Sequence, residues 1–183
     1  DYISQTLKDD FNYAVVNQYD RQLVIVKVAN ENSYQNIEKA RKAGAKILGV
    51  LNGAKVESAE IIRANASDAY LVAVAEGMAL ANYQFLKYFS DKKENTCKTI
   101  KIVGANTKEL EELNGLIKAI YHTRDLVNEP QSFLDAVQIS KEIKKLGKEA
   151  GFKVEVMGKT KIESLKMGGL LAVNKGSLTP PTF

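Results

Sequence analysis

Leu23-Val24-Ile25-Val26-Lys27-Val28 is followed, after a short polar break, by Ser33 and by Ile37, Ala40, Ala43, Ile47, Leu48 and Leu51 at helical spacing. The first run is β-branched and nearly continuous, the pattern of a strand covered on both faces. The second puts its apolar residues on one face of a helix that Ser33 opens and Asn52-Gly53 stops. A strand feeding a helix is the opening of an α/β layer, and the flanking sequence repeats that alternation.

Before this unit, Phe11 to Val16 reads as a strand; after it, Val56 to Ile62 reads as another. Asn65 or Ser67 caps the next helix, and Asp68 favours its positive end. Leu71, Val72, Ala75, Met78, Ala79, Leu86 and Phe89 surround most of that helix, which is expected to run to about Phe89 between layers. Thr99 to Val103 is a strand, and Thr107 caps a long helix to about Asn128. Pro130 blocks its continuation and turns Glu129 away from helix, so the domain boundary is placed there. Alternating strands and helices imply α/β layers with mainly parallel pairing.

The remainder reads as a helix from Leu134 to Ala150, a strand from Phe152 to Met157, a short helix near Ile162 and an apolar run from Gly169 to Val173. Gly168-Gly169 is expected to let backbones pack closely where the chain enters a strand. These elements are too few to close a core of their own, and further chain is expected after Phe183.

Composition narrows the function classes. The net charge of +4 comes from interspersed charges of both signs, unlike the clustered basic face of most nucleic-acid binders. A single cysteine, Cys97, can make neither an internal disulfide nor a cysteine metal site, and it reads as an inert small residue. The longest apolar stretch, Ala69 to Ala81, contains Glu76 and is too short to span a bilayer. No signal peptide is visible at the start of the chain.

The best candidate constellation is His122, Asp125 and Glu129, which spacings of three and four put on one helix face. Such a face could bind a metal or serve as acid and base. With Lys118 and Arg124 nearby, an ion-paired helix end is the favoured reading. Lys141, Lys144, Lys145 and Lys148 form a basic stripe, which reads first as a solvated face and otherwise as contact with an anionic partner. Gly168-Gly169 and Gly176-Ser177 do not make a phosphate loop, since Lys175 precedes its glycine. No His-Glu-x-x-His, Gly-x-Ser-x-Gly or paired-cysteine pattern occurs.

Four segments read together carry a resemblance. Thr123-Arg124-Asp125-Leu126-Val127-Asn128-Glu129-Pro130 resembles the segment joining the two domains of leucyl aminopeptidases, the cytosol aminopeptidase family. Met167-Gly168-Gly169-Leu170-Leu171-Ala172-Val173-Asn174-Lys175-Gly176-Ser177, followed by Pro180-Pro181, resembles that family's next motif. Glu76-Gly77, Leu80, Tyr83, Phe85 and Tyr88 resemble its long buried helix, and Arg41-Lys42-Ala43-Gly44-Ala45 its first domain helix.

The resemblance implies an α/β fold. A macro-domain-like N-terminal mixed sheet with flanking helices would occupy residues 1–128, with 107–128 as linker helix. The beginning of an α/β catalytic domain would occupy 129–183. It implies hydrolysis of N-terminal residues from peptides with a free N-terminus, by two divalent metals (zinc, manganese or magnesium) that activate a bridging water and polarise the scissile carbonyl. A lysine and an arginine would stabilise the oxyanion. It also implies a homo-hexamer and a cytoplasmic setting; the interspersed charges make a nucleic-acid partner the less expected one, and no membrane is expected from the short apolar stretches.

The family's metal ligands lie in Gly-Lys-Gly…Phe-Asp-x-Gly-Gly and Asn-Thr-Asp-Ala-Glu-Gly-Arg motifs that do not occur here. The expectation is therefore that no catalytic, cofactor-binding or metal residue transfers to this span, that no metal binds it and that it is inactive alone. Its matching segments read as scaffold. The rivals are a non-catalytic module for assembly or for binding nucleic acid or nucleotides, and a Rossmann-like binder. The missing glycine-rich turn after Ala29 disfavours the last.

Overall fold

In the computed structural model, which describes residues 2–183, the chain is α/β. Its elements are α1 (Tyr2–Thr6), β1 (Tyr13–Asn17), β2 (Gln22–Val26), α2 (Tyr34–Gly53), β3 (Ser58–Ile61), α3 (Asp68–Ala81), β4 (Thr99–Ile102), α4 (Thr107–Asn128), α5 (Ala136–Ala150), α6 (Lys159–Ser164) and α7 (Gly168–Asn174). The chain folds as two compact units, divided between Thr123 and Arg124, with α4 crossing the division.

The first unit is built on α2 and α3. Ser33 caps α2 by accepting a hydrogen bond from the Asn36 amide, satisfying one of the free N–H groups of the first turn. The α2 stripe Ala40, Ala43, Ile47, Leu48 and Leu51 is buried, and so are Tyr70, Leu71, Ala73, Val74, Ala75 and Met78 of α3. The helices cross at two glycines. A Cβ on Gly44 would lie 2.1 Å from the Val74 carbonyl oxygen, and one on Gly77 1.9 Å from that of Arg41. Beside the crossing, Arg41 Nε donates to Glu76 at 2.6 Å. That hydrogen bond, ahead of the cost of burial, raises the Arg41 pKa and keeps it charged.

The strands correct the expected pairing. β1 and β2 form an antiparallel pair, Tyr13 opposite Val26, while β3 and β4 form a separate parallel pair, Ser58 opposite Thr99. The connection from Gln18 to Arg21 is too short for a crossover, so β1 and β2 make a hairpin. Between β3 and β4 lies α3, long enough to cross over. β2 is not covered on both faces: Leu23 is 45% exposed, and Val24 and Val26 face the core together with Val28 beyond the strand.

α3 ends at Ala81, eight residues short of the expected Phe89. Asn82 breaks it: its side chain donates to the Cys97 carbonyl at 2.8 Å and accepts from Asn95 at 2.9 Å and Asn52 at 3.4 Å. Gln84 adds bonds to Lys93 and Asn95. Side chains thus tie residues 82–97 into a loop and leave Phe89 60% exposed. Asn106, rather than Thr107, caps α4, its side chain accepting from the Lys108 amide at 2.9 Å.

The second unit is mostly helical. Asp135 caps α5 through the Gln138 amide at 2.8 Å, and Gly151 closes it at φ 78°, in the left-handed region that suits glycine. The expected strand at Phe152–Met157 does not form. Only Met157-Gly158 pairs, antiparallel to Thr182-Phe183, because no other extended segment of the unit lies beside it. Gly168-Gly169 opens helix α7 instead of entering a strand, and a Cβ at either would meet nothing within 4 Å.

Candidate functional site

The first unit carries a cleft of about 540 Å³ between α3, β4 and α4. Ala75 and Ala79 come from α3, Ile100 and Ile102 from β4, and Leu110, Leu113 and Ile117 from α4. The α4 residues recur at three and four, so one apolar face of that helix makes a wall. The Tyr121 hydroxyl donates to the Ala79 carbonyl, pinning α4 to the end of α3, and its ring meets Tyr83 edge-on at 5.1 Å.

Most polar groups of the cleft are already engaged. Asn82 holds the loop as described, Lys98 pairs with Glu94 at 2.7 Å, and Lys101 pairs with Glu60 at 3.7 Å. The hydrogen bond from Lys98 holds the Glu94 carboxyl below the usual carboxylate range. Cys97 also lines the cleft but is 1% exposed, and burial pushes its thiol pKa up, away from the nucleophilic thiolate.

The helix face singled out from the sequence lies at the end of α4. His122 Nε2 is buried and has no hydrogen-bond partner among the described residues. The Glu129 amide bonds the Asp125 carbonyl at 3.0 Å, so the backbone completes a last turn there. Among the described residues no three His, Cys, Asp or Glu side chains come together to hold a metal ion.

On α5, Lys141, Lys144, Lys145 and Lys148 are all exposed. Lys145 is 4.0 Å from Glu149; the other three have no ion pair among the described residues. The asparagine network of Asn52, Asn82 and Asn95 and the orphaned His122 Nε2 were not legible beforehand, since hydrogen-bond partners far apart in sequence leave no periodic signal. Among the described residues no helix is long and apolar enough to cross a membrane.

The fold is that of leucine-aminopeptidase-type α/β proteins. It superposes on a tomato leucine aminopeptidase variant with a TM-score of 0.80, at 17% identity, covering 98% of this chain and 38% to 39% of such structures. The bottromycin maturation enzyme BotP, in complex with Mn, gives 0.77 at 22% identity over 95% of this chain. Residues 121–183 match the catalytic-domain model of the cytosol aminopeptidase family. A Clostridium perfringens protein named "Probable cytosol aminopeptidase" is 38% identical over an alignment of 154 residues that covers 76% of this chain and 31% of that protein. The chain is thus similar to the cytosol aminopeptidase family, over residues 121–183 in the family model and over most of its length in this relative. It spans less than a third of the length of the curated relatives that it matches.

Proposed function

We propose that this chain is the scaffold portion of an aminopeptidase that removes N-terminal residues from peptides with a free N-terminus. The observation that carries the reading is the match of residues 121–183 to the family's catalytic-domain model, joined to a relative at 38% identity across most of the chain. Residues 1–128 form the N-terminal, macro-like domain with its linker helix, and 129–183 the start of the catalytic domain. The complete enzyme uses two divalent metals, and manganese is the first to try, since the related fold of BotP is a complex with Mn. Assembly as a homo-hexamer and a cytoplasmic setting belong to the same reading.

In this reading the span itself supplies no metal ligand and has no activity alone. The test pairs two assays of leucyl-p-nitroanilide hydrolysis with added manganese. The 183-residue chain is expected to give no turnover; the polypeptide isolated from its source is expected to have an intact mass above 20.2 kDa and to be active. Turnover by the short chain would overturn the scaffold assignment. A native mass of 20.2 kDa without activity would overturn the aminopeptidase reading.

The unpaired lysines of α5 support one rival, a module that binds anionic polymers such as DNA. That rival requires a mobility shift with steep salt dependence, weakened when Lys141, Lys144 and Lys148 are replaced by Gln. No shift at moderate salt removes it.

A further inference from the structure

Asparagine followed by glycine is chemically exposed, because glycine lacks a Cβ and its backbone nitrogen can reach the asparagine carboxamide carbon. The chain contains this pair twice, at Asn52-Gly53 and Asn114-Gly115, and the fold treats the two differently. The Asn52 carboxamide is held at both ends. Its nitrogen donates to Asn82 Oδ1 at 3.4 Å, and its oxygen accepts from the Cys97 amide at 3.0 Å and the Thr96 hydroxyl at 3.4 Å. The turn that carries it is anchored by the buried side chains of Leu48 and Leu51.

Asn114 has none of these restraints. It is exposed in the middle of α4, its side chain makes no hydrogen bond among the described residues, and the space around Gly115 is empty within 4 Å. α4 contains no fully buried residue, and an exposed glycine inside a helix lowers its local stability. Local opening is easiest in such segments.

We propose that Asn114 is a site of spontaneous deamidation in the folded protein, and that the hydrogen bonds of Asn52 protect the second copy of the same dipeptide. When α4 opens locally, the Gly115 backbone nitrogen attacks Asn114 Cγ. The bond from Cγ to Nδ2 breaks, ammonia leaves, and a five-membered succinimide closes. Water then adds at one of its two carbonyls. One product is aspartate at position 114; the other is an isoaspartyl linkage, which adds a methylene to the main chain. No electrons are transferred.

Either product lowers the net charge by one and puts a carboxylate among the residues lining the α3–β4–α4 cleft, where Lys98 and Lys101 also lie. The isoaspartyl product also lengthens the main chain inside the helical turn that carries Leu113 and Ile117, and so interrupts the i to i+4 backbone hydrogen bonds that cross position 114. The modification therefore acts on the wall of the cleft.

The experiment is proteolytic mapping with mass spectrometry of the 183-residue chain aged in mildly alkaline buffer, in native conditions and in denaturant. Native conversion at Asn114 is expected to exceed that at Asn52 by at least about tenfold, since several hydrogen bonds must break to free Asn52. In denaturant the two are expected to convert at comparable rates. Gly115→Ala is expected to reduce conversion at Asn114 and leave that at Asn52 unchanged. Equal native rates, faster conversion at Asn52, or an intact Asn114 in the native chain alongside conversion in denaturant would each overturn the proposal.

Discussion

Replacing Gly77 by Ala tests the packing that organises the first unit. The new Cβ would sit 1.9 Å from the Arg41 carbonyl oxygen, 2.6 Å from its carbon and 2.8 Å from its Cα. All three are backbone atoms in the middle of α2, so no side chain can rotate away. Ordinary contact begins near 3.4 Å, so α2 and α3 must separate by about 1.5 Å at this point. That movement loosens Leu48 and Met78, both 2% exposed, and lengthens the bond from Arg41 to Glu76. Overpacking of this kind costs about 1–3 kcal/mol. The gain in helix propensity from Gly to Ala, about 1 kcal/mol, offsets part of it. The net expectation is a loss of up to about 2 kcal/mol, which lowers the melting temperature by up to about 8 °C for a chain of this size. Gly49→Ala in α2 is the control: its Cβ meets nothing within 4 Å, so it keeps only the propensity gain and raises stability by up to about 1 kcal/mol. Urea denaturation followed by circular dichroism reads both. A Gly77→Ala chain as stable as Gly49→Ala would refute the close crossing.

Lys55 follows α2 at φ 58°, with the Val56 amide bonded to the Leu51 carbonyl at 2.9 Å; Lys55→Gly relieves the left-handed backbone and should stabilise by about 0.5–1 kcal/mol in the same urea assay. Asp135→Ala removes the α5 cap and should cost about 1 kcal/mol, read as lost protection of the first α5 amides in hydrogen exchange. Tyr70 is 2% exposed, its hydroxyl donates to the Glu31 carbonyl, and burial raises its pKa above the usual 10.0. A raised folded-state pKa gives stability that is present below about pH 10 and lost as pH climbs through the folded value. The wild-type chain should therefore lose stability above pH 10 more steeply than Tyr70→Phe; parallel pH curves would remove Tyr70 as the cause. Cys97 should resist alkylation by iodoacetamide in the native chain and react once denatured, as followed by mass.

What the sequence made legible was what local pattern determines. The α2 stripe and its Ser33 cap follow from spacing and backbone chemistry that act within a few residues. The end of α3 did not, because the apolar residues Leu86 and Phe89 continue the helical pattern past Ala81. What stops the helix is Asn82, whose partners Asn52, Asn95 and Cys97 are up to thirty residues away. Hydrophobic pattern reports burial, while a polar network reports chain reversal, and here the network wins. Phe152 to Met157 fails as a strand for a related reason: a strand exists only with a neighbour to bond, and propensity carries no information about the neighbour.

The same distinction explains why the candidate site was only half readable. His122, Asp125 and Glu129 share a helix face by arithmetic alone, but a metal centre needs ligands that converge from more than one direction. One helix face supplies one direction, and among the described residues no three such side chains come together. The cleft poses the reverse case. The long helix from Thr107 was legible in the sequence, but the Tyr121 hydroxyl that pins it to Ala79 has its partner 42 residues away, and nothing local to Tyr121 announces that bond. Breaking it is a direct way to separate the two effects. Tyr121→Phe keeps the ring against Tyr83 and removes only the hydroxyl, so the wall should stay helical while α4 detaches from α3. The cost should be about 0.5–1.5 kcal/mol, with hydrogen-exchange protection lost in α4 and retained in α2. Protection unchanged in α4 would mean that its apolar face, and not the tyrosine, fixes the wall.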